Sequence, residues 1–205
     1  MASSSSIVQG QHRQWTYAVA GEMTFLHPEV GVHRFQHDAL RTTLEEIGAE
    51  HLPLLCALIC QGFEKRAGVA PALDTDFVQN TLWLAWAVRT QMLRRTEFHL
   101  VARPPVWGMR EVPLVGTLPE LLRQSESGGG GGGLLRKRFS LSDYLPAPFV
   151  AYWSEQHPDT PITLILLQMH DFMTALLNQG RTDTIEPLLG LLLPSATPAE
   201  LPTYR

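Results

Sequence analysis

Histidine is the reactive side chain this chain carries in excess, with eight copies among 205 residues. His33 and His37 stand four apart, and His51 follows fourteen residues later. On a helix that spacing would turn two imidazoles toward one ion, with an oxygen from Asp38, Glu45, Glu46 or Glu50 completing a metal site. A zincin would carry a glutamate base directly after the first histidine, and Arg34 occupies that position. The segment is otherwise polar, so solvated or helix-capping roles for His27, His33 and His37 are the simpler expectation.

His170-Asp171 lies within an apolar helical pattern. An imidazole there has the pKa of a general base near neutral pH. Adjacent helical side chains diverge by about 100°, so Asp171 is not its natural orienting partner, and no Gly-x-Ser-x-Gly elbow supplies a nucleophile. A core or rim histidine is predicted. Cys56 and Cys60 are the only cysteines and have leucine, alanine and isoleucine as neighbours. Nothing there would stabilise a thiolate, and the paired Cys-x-x-Cys of a zinc ribbon is missing, so both are expected as reduced, buried thiols. There is no Walker-type loop and no Gly-x-Gly-x-x-Gly between a strand and a helix. The expectation is therefore no catalytic residue, no metal and no cofactor.

Features suited to binding are easier to find. Arg136-Lys137-Arg138-Phe139 is the densest basic cluster and runs into Leu141-Ser142-Asp143-Tyr144-Leu145-Pro146, which has the look of an interaction peptide. Trp83, Trp86, Trp107, Tyr152 and Trp153 exceed what a small helical core demands, and tryptophans often anchor interfaces. Leu188, Leu189, Leu191, Leu192 and Leu193 make a helix apolar around its circumference, which must be buried centrally or half-covered by another subunit. The predicted partner contacts are Trp153, Tyr152, Leu189, Leu192, Phe139, Tyr144, Arg136 and Arg138.

The elements that would position these residues are mostly helical. Leu40, Leu44 and Ile47 share a stripe in 37–47, with Gly48 as a left-handed cap. Residues 52–66 start near Pro53 and carry Leu55, Leu58, Ile59, Gly62 and Phe63. Asp74 is expected to cap a long helix over 75–95, with Leu73 and Val78 as a hydrophobic staple. Further helices are predicted over 147–156, 161–179 and, after an Asp183-x-x-Glu186 capping box, up to Pro194. Two hairpins are conceivable: Trp15–Ala20 with Met23–Leu26, and Glu97–Ala102 with Glu111–Val115, where Pro113 demands an edge. The expected fold class is mainly α: a compact helical domain of about six helices with at most one or two small β-hairpins.

The domain expectation is a flexible 1–11, a single helical domain over 12–194, and an extended tail over 195–205. Gly128 to Gly133 interrupt that domain. Six consecutive glycines resemble an engineered flexible spacer, bridging an excised loop or joining two polypeptides. The first history is favoured because both flanks look like partial helical domains.

Composition bounds the function. A hydrophobic share of 44% excludes wholesale disorder. Sixteen basic against twenty acidic residues leave a charge of −4, which makes nucleic acid an unlikely partner. No apolar run reaches the roughly 18–20 residues of a membrane span, and the serine-rich start lacks the features of a secretory signal. An intracellular location, cytoplasmic or nuclear, is expected. The leading reading is a non-catalytic helical adaptor or assembly subunit that binds another protein, or itself, through aromatic and leucine-rich surfaces. The alternatives are a metal-dependent or histidine-based hydrolase and a nucleic-acid-binding protein using arginine clusters.

Overall fold

The chain opens with a four-stranded antiparallel meander, β1 (Val8–His12), β2 (Trp15–Val19), β3 (Met23–His27) and β4 (Gly31–Phe35), in that spatial order. The computed structural model describes residues 8–36, 40–66, 71–96, 100–102, 111–127, 141 and 144–193. The meander corrects the expectation of at most one or two small hairpins. The central hairpin, β2 with β3, lies where the sequence suggests it, turning through Gly21 at φ +82°. What the sequence reading lacked were the two outer strands. Both β1 and β4 alternate half-buried and exposed positions, and their inward places are filled by Gly10, His12, His33 and Phe35 among others. A period-2 pattern written with histidine and glycine on its core face does not register as hydrophobic alternation. β1 also begins inside the stretch assigned to a flexible start.

Among the described residues seven helices follow: α1 (Leu40–Ile47), α2 (Leu52–Lys65), α3 (Pro71–Arg89), α4 (Leu118–Ser127), α5 (Ala147–Gln156), α6 (Ile162–Gln179) and α7 (Ile185–Leu192). α3 is the central one and packs against α1, α2, α5, α6 and α7. It starts at Pro71, so Asp74 lies inside the first turn rather than capping it. It ends at Arg89, and Leu93–Arg95 forms β5 of a second sheet instead of a last helical turn. β5 pairs with β6 (Leu100–Ala102), which pairs in turn with β7 (Val112–Pro113), all antiparallel. Pro113 sits on the edge strand, where its missing N–H costs no ladder bond.

α4 was not anticipated, although its signal is present. Thr117 N–H donates to Glu120 Oε2 (2.7 Å) and Glu120 N–H to Thr117 Oγ1 (3.4 Å), a reciprocal capping box ahead of the helix. α6 is tied to the preceding strand by Thr163 Oγ1–H donating to the Leu114 carbonyl (2.7 Å), and Gly180 closes it in the left-handed conformation at φ +63°. At the start of α7, Asp183 bonds Arg181 rather than capping, and a 3-10 turn over Thr182–Thr184 leads into the helix.

One core runs through the molecule. Buried residues from the meander, from α1–α3 and from α5–α7 belong to a single cluster. Residues on either side of the glycine block therefore share it: Trp83 of α3 meets Phe149 of α5 at 5.6 Å between ring centroids. The block itself lies outside the described residues. Phe63 of α2 joins sheet to helices, with Trp15, Phe25, His33 and Phe35 of the meander on one side and Phe77 of α3 on the other. α2 and α3 approach closely at Gly62, where an added Cβ would stand 2.3 Å from Phe77 Cζ.

Candidate binding groove

The histidines take structural positions wherever they are described. His33 lies on β4, not on a helix, and stacks on Phe63 at 5.0 Å. His27 is 8% exposed, and its Nδ1 accepts from the backbone N–H groups of Glu29 (3.1 Å) and Val30 (3.2 Å), which closes the turn between β3 and β4. That contact makes Nε2 the protonated nitrogen of the neutral ring. His12 meets Gln61, and its pKa is lowered, first by burial and then by Arg13. His51 precedes α2 and pairs with Glu50 at 3.4 Å. His157 packs against Trp153 at 4.8 Å. His37 and His99 lie outside the described residues. Among the described residues no three histidine, cysteine, aspartate or glutamate side chains come together as a metal-holding group.

His170 is held where α6 meets β5. Burial is the largest influence on it and lowers its pKa, against a raising contribution from Asp171. Its Nδ1 lies 3.4 Å from Asp171 Oδ1, a long contact, while Asp171 also pairs with Arg95. The sign for stability follows from the lowered folded pKa. Above about pH 6.5 the ring is neutral in both states. Below that, the unfolded chain takes up a proton that the folded chain resists, so stability falls with pH until the folded value is passed. His170→Gln should flatten this loss between about pH 7.5 and pH 5, read from urea midpoints. An unchanged slope would show that His170 titrates alike in both states.

The two cysteines are buried and free, on the α2 face toward the core. Burial drives the Cys60 thiol up to about 12, with Glu64 adding to it, and pushes Cys56 higher still. At neutral pH neither is a nucleophile.

The residues singled out as partner contacts divide into two groups. Trp153 (3% exposed), Leu189 (0%), Leu192 (5%) and Tyr144 (8%) are taken up by the core of the chain itself. Tyr152 is half-buried, and its hydroxyl donates to the Leu193 carbonyl at 3.2 Å. Phe139, Arg136 and Arg138 lie outside the described residues.

An open apolar surface instead lies between α1 and α3. A groove of about 410 Å³ is lined by Leu40, Thr42, Thr43 and Glu46 of α1 and by Gln79, Leu82, Trp83 and Trp86 of α3. The α3 contributors fall at i, i+3, i+4 and i+7, the stripe a helix offers to another helix. Trp83 and Trp86 are only half-buried, and the Trp86 indole N–H donates to the Glu46 carboxylate. That bond ties the α3 indole to a side chain of α1, and both line the groove. Among the described lining residues Glu46 alone carries a charge. In the sequence both tryptophans are surplus to a simple amphipathic helix, but no local signal there gives them α1 as the opposite wall.

The chain matches no family model, no curated protein and no solved structure. Among the described residues no helix is long and apolar enough to cross a membrane.

Proposed function

We propose that this chain is a non-catalytic binding module that seats an apolar helix of another protein, bearing a lysine or arginine, in the groove between α1 and α3. The observation that carries the reading is the pair of half-buried tryptophans on a helix-packing stripe beside the Glu46 carboxylate. Two helical ridges with an unfilled apolar valley are the receptor half of helix-in-groove recognition. Tryptophan supplies large contact area at small entropic cost, and such residues dominate interface energetics. The Glu46 carboxylate favours a basic flank by charge complementarity, which acts on encounter rate and on specificity. The groove volume falls within the range of about 300–1,000 Å³ typical of specific sites.

A photo-crosslinking side chain at Gln79 tests this in cells. The expected adduct maps to one apolar, helical segment carrying a lysine or arginine. A synthetic peptide of that segment should then bind the purified chain, and Trp86→Ala should weaken it by about 2 kcal/mol, roughly thirtyfold. Glu46→Lys, an exposed change that leaves the core alone, should weaken it as well. Scattered adducts, or a peptide that binds both variants as it binds the original chain, would refute the proposal.

A further inference from the structure

β4 is an outer strand of the meander, and β3 is the only described strand paired with it. Alternate residues along it therefore turn backbone N–H and C=O groups away from the sheet. Sheet edges are commonly blunted by a proline, a bulge or a covering element. The second sheet uses proline, with Pro113 on its edge strand β7. β4 has no proline, and its register runs unbroken from Gly31 opposite His27 to Phe35 opposite Met23, so it has no bulge. Its inner side is anchored, since His33 and Phe35 both stack on Phe63. The turn before it is held by the two backbone bonds to His27 Nδ1. The edge is thus straight and already set in place.

The outer face beside this edge is patterned. Val32 (52% exposed) stands directly opposite Leu26 (46%), and Val30 (53%) lies in the adjoining turn. Three of the six large apolar side chains exposed among the described residues are therefore gathered at one hairpin. Arg34 is exposed two residues along, on the same face as Val32 and opposite Thr24. It makes no hydrogen bond or ion pair among the described residues. An added strand would extend two rows of side chains, Leu26–Val32 and Thr24–Arg34.

We infer that the β4 edge is a strand-addition site for an extended segment of a partner protein that carries a carboxylate and an apolar side chain two residues apart. In this mode main-chain hydrogen bonds give affinity, and alternate side chains give the choice of partner. On an antiparallel added strand the apolar residue lies opposite Val32, and the carboxylate, two residues before it, lies opposite Arg34. Arg34 is the one charged residue of β4 apart from His33 on the inner side, and opposite charges directly across a ladder attract while like charges repel. β4 has no acidic residue, so a second copy pairing through the same strand offers Arg34 no carboxylate. None of these residues lines the groove between α1 and α3, so the two proposals stand or fall separately.

The test titrates the isotope-labelled full chain with acetyl-Thr-Glu-Thr-Val-Thr-amide, and with the same peptide bearing lysine for glutamate, followed by NMR. The glutamate peptide should shift the Val32, His33 and Arg34 amides saturably and slow the solvent exchange of those that point outward. It should bind about twofold to fivefold more tightly than the lysine peptide in dilute buffer, the range that ladder pairs of opposite charge contribute. Arg34→Glu, an exposed change outside the core, should reverse that order, and the dispersion of the remaining spectrum checks that the variant is folded. Shifts spread over other surfaces, or the same order of affinity in both proteins, would overturn the assignment. Slowed exchange at β4 that grows with the concentration of the chain alone would also overturn it, by giving the edge to a second copy.

Discussion

Phe63→Ala should destabilise the chain by about 3–5 kcal/mol, the cost of emptying a large aromatic site in a packed core. Phe63 is 5% exposed and is the common neighbour of five aromatic rings. Four of those rings come from the meander and one from α3, so the loss falls on the joint between sheet and helices. The remaining rings cannot close the space, because Trp15 and Phe25 are held by strand register and Phe77 by the crossing at Gly62. Urea unfolding followed both by tryptophan fluorescence and by far-ultraviolet circular dichroism gives the magnitude. If the meander were an appendage, the two probes would separate in the variant. A loss below about 1 kcal/mol would show that the aromatic cluster does not join the layers.

Leu189→Ala should cost about 2–5 kcal/mol, and the cost should not depend on protein concentration. Leu189 is fully buried, as is Leu188, within a single chain, and α7 is covered by α2, α3 and α6. An all-round apolar helix can be satisfied in two ways, by its own chain or by a second one. Here its own chain suffices: Gly190, Glu186 and Pro187 take the exposed positions while the leucines point inward. Unfolding midpoints measured at protein concentrations about a hundredfold apart should coincide. A midpoint that rises with concentration and loses that rise in the variant would place Leu189 at a subunit interface.

The same distinction explains how much of the proposed binding surface was legible. Aromatic and leucine surplus pointed to contacts, but composition does not say whether a contact is internal. Trp153 and Leu192 look like anchors in sequence and are spent on the core. Trp83 and Trp86 belong to a helix that the periodicity indicates plainly, yet their use depends on α1 lying alongside with Glu46 against the Trp86 indole.

Within its own segments the chain specifies α2, α5, α6 and α7 through apolar periodicity at helical spacing, through Pro53 and through Gly180. It specifies the β2–β3 hairpin through alternation around Gly21. These signals act over a few residues, so neighbours in sequence carry them. Tertiary structure alone decided that Gly10, His12, His33 and Phe35 face inward and make β1 and β4 strands, because an edge strand gains its stability from the sheet it joins and the layer it covers. Tertiary structure also ended α3 at Arg89, where Leu93–Arg95 gains a ladder against Leu100–Ala102 that another helical turn could not offer. Which side chains remained at the surface was likewise settled only when the core had taken its share.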